Sequence, residues 1–499
     1  MSDSILRRGL ILSGLFALNA AVAPAALAGR AEVGGYFRVA ARPDLQGGNG
    51  RLGYWNLYGR LMNEGSYAAV EMKFDVLERQ PLAKDPWTSL HLRIEGGSVS
   101  NADAGNGYLN NYRVSQLYAR AGNVLLPNVT WQVGTLDMFM GELGMYDMRP
   151  AQVFFDTVGL SARYEKGPVD LLLGVGDSGY WQRGASYHAM PTAGGYLRMR
   201  LGSHVELGGG GQYRLQPMTE GHRFAPHNTP DVAYEDYLRQ EVTERWFEEN
   251  PNELRDFPNP VPTSAQSGQI IGYLGFGGLG PLRWNNTFVR YEKMHPQLST
   301  TETYEGTSYT IYTNDLTDER TMLLVGNEMQ LRLIPQRLDV VWAALYGQHQ
   351  DGDNDIAPSD HDRWYASTVL RTQIYLNDTV HLLVESSIAR EVSTNGNAYR
   401  EHADSIFASE GGLPDTRGLE YGDTDTRDTW QGKTGIVFNP LGPGVYVRPS
   451  LRLLYGVQHS NQNNAFGSAF VDTQDQFADF KSVERHWHHL GSLEMEAWF

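Results

Sequence analysis

The chain has 499 residues, a formal charge of −17 and no cysteine. The acidity excludes ordinary nucleic-acid partners, which need a cationic face, and the absence of cysteine excludes a disulfide framework. Hydrophobic residues make up 41% of the chain and no long uncharged apolar run follows residue 28, so no transmembrane helix is expected. A membrane barrel, which needs only every second residue apolar, stays open.

The first segment, residues 1–28, carries Arg7 and Arg8, then an uncharged Leu/Ala-rich stretch, then Ala26-Leu27-Ala28. That layout predicts a cleavable secretory signal, and the segment is set aside from the fold. From there the dominant signal has period two. In "GGYFRVAAR" Tyr36 and Arg38 share one face while Phe37 and Val39 share the other. "NLYGRLM" alternates in the same way, with Tyr58 and Arg60 opposite Leu57 and Leu61. "YAAVEMKFDVL" and "SLHLRIEGG" follow, the latter setting His91, Arg93 and Glu95 against Leu90, Leu92 and Ile94. "VTWQVG", "YLRMRLG", "FVRYEK", "EMQLRLI" and "RPSLRLLYG" continue the pattern. Alternation of this kind predicts strands with one apolar and one polar face.

Short segments such as "NEGS", "LPN", "EKGP", "LGPL", "IPQR", "LND" and "PLGPG" read as turns, whereas 215–266, 299–318, 349–363, 391–430 and 459–482 are long, polar and acidic. The first of these could hold a short helix. Short turns on one side and long loops on the other predict an outer-membrane barrel in one domain, residues 29–499. The closing "SLEMEAWF" puts Leu493, Met495, Ala497 and Phe499 on one face and Ser492, Glu494, Glu496 and Trp498 on the other. The first set suits lipid, with Phe499 in an interfacial aromatic girdle; the second suits a water-filled lumen.

Motifs of catalysis and metal binding are weak. "GDSG" at 176–179 lacks recognisable His and Asp partners and reads as a turn. Asp351, Asp353 and Asp355 have calcium-loop spacing, but Ile356 stands where such a loop needs Gly. His486 and His488 share a strand face, with His489 on the other, and read as strand residues rather than metal ligands. No phosphate loop or dinucleotide fingerprint is present, so neither enzyme nor cofactor is expected. What recurs is the pairing of aromatics with charges on the polar face: Tyr36 with Arg38, Tyr58 with Arg60, Trp498 with Glu496. Sugars present C–H patches that rest on aromatic rings and hydroxyls that bond to charged groups.

The segments "GGYFR", "RLGYWNLYGRL", "YRVSQLYARAGNVLLPNVTWQVG" and "FFDTVGLSARYEKGPVDLLLGVG", then "DRWYASTVLRTQIY", "VYVRPSLRLLYG" and "LEMEAW" with its terminal aromatic, resemble in order the maltoporin family of sugar-specific porins. The resemblance implies an all-β, 18-stranded, homotrimeric outer-membrane barrel that passes oligosaccharides along an aromatic slide with a polar track. It implies Tyr36, Tyr58, Tyr365 and Trp498 as slide residues, with Tyr365 preferred to Trp364, and Tyr273 as a weaker candidate. Tyr108 would be lent to a neighbouring subunit. Arg38, Arg51 and Arg113 would lie on the polar track. Arg60 stands where the family has a Glu, which reverses a charge, and completes the track. Segment 137–155 would be the inward-folded constriction loop, with Tyr146, Asp147 and Arg149 as its groups. Phe499 would serve as the signal read by the barrel-assembly machinery, and lipid and lipopolysaccharide would surround the wall. The sequence-level alternative is a general or anion-selective porin in which the arginines set charge selectivity and the aromatics are incidental.

Overall fold

The computed structural model describes residues 29–43, 45, 52–53, 55–77, 85–97, 112–178, 189–216, 265–294, 300–304, 307–311, 320–351, 363–393, 426–461 and 486–499. The expected signal segment, Arg51, Tyr108, Asp353 and Asp355 lie outside them.

The strands in chain order are β1 (Arg30–Ala41), β2 (Tyr67–Leu77), β3 (Trp87–Gly96), β4 (Arg113–Gly122), β5 (Val129–Phe139), β6 (Gln152–Lys166), β7 (Val169–Asp177), β8 (Pro191–Leu201), β9 (Val205–Gln216), β10 (Ala265–Leu279) and β11 (Leu282–Met294). A small separate hairpin, β12 (Thr300–Tyr304) and β13 (Thr307–Ile311), interrupts the series. Then come β14 (Arg320–Ile334), β15 (Leu338–Asp351), β16 (Arg363–Tyr375), β17 (Val380–Ser393), β18 (Thr426–Phe438), β19 (Ser450–Ser460) and β20 (Trp487–Trp498). Eighteen of these pair antiparallel with their neighbours and close on themselves, because β1 pairs with both β2 and β20.

Closure follows from the alternation read in the sequence. Residues paired across a ladder share a face, so Tyr36, Arg38 and Ala40 on β1 align with Trp498, Glu496 and Glu494 on β20. Those two rows face inward. The outward rows carry apolar side chains left exposed on the isolated chain: Val33, Leu117, Leu173, Ile270 and Leu453 are all more than half exposed. At the seam Gly35 and Phe499 exchange backbone bonds of 2.9 and 3.1 Å, and the Phe499 ring lies on the outer face beside Phe37. Gly35 is required there, since a Cβ would stand 2.5 Å from both the Ala69 carbonyl oxygen and the Phe499 ring. A closed antiparallel ring satisfies every strand's backbone without an open edge, and its apolar exterior is a lipid face. The chain is therefore a β-barrel of the bacterial outer membrane.

The connections alternate in length. Both ends of the chain share the side that carries the brief turns, such as 167–168, 202–204, 280–281 and 335–337. The opposite side carries the long ones, including 42–66, 140–151, 217–264 and 394–425.

Three expectations need correction. "NLYGRLM" is not a strand: Trp55–Tyr58 forms one helical turn, α1, inside the first long loop, and Gly59 follows it with φ at 79°. Its alternating pattern loses to that left-handed step, which turns the chain back toward the wall. "NEGS" likewise ends this loop instead of joining two strands. "PLGPG" belongs to an eleven-position connection, 439–449, that folds inward from the short-turn side.

Candidate functional site: a half-filled lumen

Three segments enter the barrel and fill one side of it: the first loop (52–66), the third loop (140–151) and the turn 439–449. The third loop lays Met140, Leu143, Met145 and Tyr146 against Leu324, Val341, Ala343, Leu345 and Val369, which are inward positions of β14 to β16. An apolar stripe inside a barrel is unfavourable in contact with water, and the loop covers it. Polar tethers fix the register. The Met145 N–H donates to Glu328 (2.8 Å), the Tyr446 hydroxyl donates to the other Glu328 oxygen (2.7 Å), and the Tyr146 hydroxyl bonds to Ser367 (3.0 Å). The first loop is bound to the third through the Arg60 N–H and the Met145 carbonyl (2.8 Å). It is bound to the wall through Lys433, whose ammonium reaches both the Tyr58 carbonyl (3.0 Å) and Glu385 (2.8 Å).

The opposite side, along β2 to β9, keeps charged groups in contact with lumen water. Glu71, Arg113 and Arg200 have side chains 61%, 71% and 59% exposed. Inward residues there form a succession of ion pairs: Arg93 with Glu71 and Glu95, Arg163 with Asp170 and Glu165, Arg198 with Asp170, Arg200 with Glu206. Between Lys73, His91, Arg93 and Tyr118 the wall opens into a cavity of about 450 Å³. The apolar cluster reaches this side too, through Leu136, Phe154, Leu172 and Tyr196, but the charges here meet water, whereas inward charges opposite, such as Arg371, Glu385, Arg427 and Lys433, are buried.

Several of the residues singled out in the sequence converge. The Tyr36 hydroxyl donates to Glu496 (2.6 Å) and receives bonds from Arg38 (3.3 Å) and Arg60 (3.1 Å). Arg60 also pairs with Glu496 (3.2 Å) and Glu64 (3.0 Å), and Arg38 pairs closely with Glu64. Asp147 of the third loop faces the same group and is open to the lumen. Burial pushes the Glu64 carboxyl up to about 8 against the pull of Arg38 and Arg60, helped by the neighbouring Asp147. Crowding acts to raise Asp147 as well, but Arg60, the bond with Glu64 and Arg38 outweigh it and hold Asp147 below the ordinary aspartate range. One Glu64 oxygen, Oε1, has no hydrogen-bond partner among the described residues. Arg149 extends the charge along the loop, 3.5 Å from Asp137, with its guanidinium over the Phe139 ring.

The aromatics do not form one water-facing ladder. Trp498 is 64% exposed, with its ring centre 4.5 Å from that of Tyr36. Tyr58, by contrast, is fully buried, its hydroxyl donating to Glu391 (2.9 Å) and accepting from Arg427 (3.1 Å). Tyr146 is buried too, and Tyr273 stacks on Phe288 at 5.1 Å. Tyr365 pairs across the ladder with Gly347 and Glu391, which puts it on the inward face; Trp364 falls on the outer one. Arg113 sits at the start of β4, exposed and bonded to Glu95 at 2.9 Å. The "GDSG" serine, Ser178, bonds to Thr157 (2.9 Å) and Thr192 (2.6 Å) at the end of β7. The His489 ring bonds to the Tyr455 hydroxyl on the outer face (2.7 Å), and no group of three metal-ligating side chains occurs among the described residues.

Sequence reasoning missed Glu328, Tyr446 and the apolar inner stripe. The stripe had a signal: β15 reads "LDVVWAALYG", apolar on both parities, the pattern of a strand covered on both faces.

No family model matches the chain, and no curated relative does. Among solved structures the chain is similar to outer-membrane expressed OmpT of Vibrio cholerae, at 7% identity and a TM-score of 0.41, covering 95% of this chain and 99% of that one. It is similar to the outer membrane channel DcaP of Acinetobacter baumannii, at 9% identity and 0.44, covering 74% and 92%. It is also similar to an anion-selective porin from Comamonas acidovorans, at 9% and 0.38, covering 73% and 89%.

Proposed function

We propose that this barrel is a passive porin that conducts small hydrophilic solutes through the water-exposed side of its lumen. The observation that carries the reading is the asymmetry of the interior. One side is closed by apolar packing and tethered loops, while the other presents hydrogen-bonding charges to water. No chemical step is involved. Binding must stay weak for transport to proceed, and a succession of already paired charges offers many partners without a deep well. Planar-bilayer recording tests this: the purified chain should give stable ohmic steps in potassium chloride, and a protein that inserts without conducting would end the proposal.

Carbohydrate selectivity is a second reading, favoured by the Tyr36–Trp498 ring pair beside the Arg38, Arg60 and Glu496 cluster. An exposed indole next to fixed hydrogen-bonding groups suits a sugar ring. The buried Tyr58 and Tyr146 weigh against a continuous slide, so any selectivity is assigned to separate contacts. The charge-selective alternative is distinguished by the reversal potential in a salt gradient. A homotrimer, implied by the family resemblance, remains part of the proposal; chemical cross-linking in native membranes tests it.

A further inference from the structure

Inward on β3 to β6 lies a second cavity, of about 190 Å³, lined among others by Trp87, Arg120, Thr130, Gln132 and Ser161. Of its two cations, Arg120 and Arg163, Arg120 differs from those around it. Each of Arg93, Arg163, Arg198 and Arg200 has a carboxylate partner. Arg120 has none among the described residues. Its Nε donates to Gln132 (2.8 Å), and its guanidinium sits 4.8 Å above the Tyr118 ring. A guanidinium presents a planar fork that matches a carboxylate, and here no described residue accepts from the Nη side of that fork. The remaining lining combines hydroxyl, amide and aromatic groups with the Met138 thioether and the Arg163–Glu165 pair. Trp87 is accommodated by Gly122, where a Cβ would come within 2.0 Å of the indole. Glu165 also lines the cavity, paired at 3.0 Å with Arg163, which also holds Asp170.

We propose that this pocket is a binding subsite for an acidic sugar of the uronic acid class, its carboxylate on Arg120, its C–H face against Trp87 and its hydroxyls on Thr130, Gln132 and Ser161. A neutral sugar would leave the Arg120 fork unpaired, and a simple carboxylate would leave the indole and hydroxyl groups unused, so both parts of the ligand are selected. The inference rests on the carbohydrate reading of the lumen and deepens it.

Titration calorimetry on the detergent-solubilised full chain separates this from conduction, which bilayer recording reports. D-glucuronate should bind, with D-glucose and acetate each at least about tenfold weaker, the factor expected when a charge-assisted partner is missing. Arg120→Gln should lose the preference for glucuronate over glucose, while Arg120→Lys, which keeps the charge without the fork, should retain part of it. Folding of each variant is checked by its heat-dependent mobility on gels. Equal binding of glucose and glucuronate, equal binding of acetate, or an unchanged preference in Arg120→Gln overturns the proposal. So does an absence of glucuronate binding in a channel that conducts normally, a result that leaves the porin reading intact. If the chain does not conduct, glucuronate binding still supports the subsite and the porin reading alone fails.

Discussion

Glu328 holds two of the three inward segments, and removing its side chain should loosen the constriction without unfolding the barrel. It accepts from the Met145 N–H at 2.8 Å and from the Tyr446 hydroxyl at 2.7 Å. In Glu328→Ala both donors lose their acceptor. Met145 is fully buried, so water does not readily replace the carboxylate. A buried donor left without a partner costs about 1–3 kcal/mol, and the pair therefore costs about 2–6 kcal/mol. At about 1.4 kcal/mol per factor of ten, the detached state of the third loop becomes on the order of 30-fold to 10⁴-fold more populated. Apolar burial resists. Leu143, Met145 and Tyr146 are each fully buried and contribute about 1.5–3 kcal/mol apiece. The loop should consequently stay seated most of the time but detach often enough to register. Single-channel recording should show brief excursions to a higher conductance that are rare in the unaltered chain. Glu328→Gln, whose amide oxygen can still accept from the Met145 N–H while its –NH2 donates to the Tyr446 hydroxyl oxygen, should stay close to the parent. A current histogram for Glu328→Ala that superimposes on the parent's would refute the claim that this side chain anchors the loop.

The Glu64 carboxyl, raised to about 8 in the packed loops from an ordinary 4.5, retains a proton that a released loop would give up. Packing of the first loop against the third is therefore favoured fully below pH 4.5 and loses that contribution as pH rises through about 8; Asp147, held below its ordinary range, does not titrate in that window. Loop-driven current noise should increase between pH 6 and 9 in the parent and stay flat in Glu64→Gln, and a parent trace insensitive to pH would count against the raised Glu64 carboxyl. Gly35→Val drives a side chain into the Ala69 carbonyl and the Phe499 ring, both 2.5 Å from the new Cβ. It should sharply reduce the yield of heat-modifiable folded barrel, and a normal yield would mean that the seam tolerates what its geometry forbids. For the sugar reading, Trp498→Ala should weaken block of the current by maltooligosaccharides severalfold, and an unaltered block would remove the Tyr36–Trp498 pair from the path.

The wall was legible because a barrel strand is written residue by residue. Alternation in "GGYFRVAAR" and "SLEMEAWF" fixes which side chains face lipid, and the β1–β20 pairing follows that parity from Tyr36 to Ala41. The interior was legible only in part. The position of the third loop could be placed from the order of segments, but not what it packs against, because Leu143 and Val341 are nearly two hundred positions apart in sequence and no local pattern links them. The first loop misled for a different reason. "NLYGRLM" has the alternation of a strand, yet Gly59 at φ 79° and the buried Asn63, which bonds to the Gly59 carbonyl (2.6 Å) and to Gln431 (3.1 Å), turn it into a plug.

That plug changes what an inward aromatic means. A tyrosine on the polar parity of a barrel strand can line a water column or support a loop, and the sequence is the same in either case. What separates the two is whether anything stands between the ring and the water. Tyr58 has its hydroxyl bonded by Glu391 and Arg427, and its ring is enclosed by the loop that carries it. A buried hydroxyl needs such partners, and their presence marks the residue as structural. Trp498 stands on the inward parity with most of its surface free, and the Nη side of Arg120 has no acceptor among the described residues. Side chains left unsatisfied inside an otherwise well-paired lumen are the ones with capacity for a solute. By that criterion the proposed selectivity is assigned to Trp498 at the β1–β20 seam and to the Arg120 pocket on β3 to β6 rather than to the loop tyrosines.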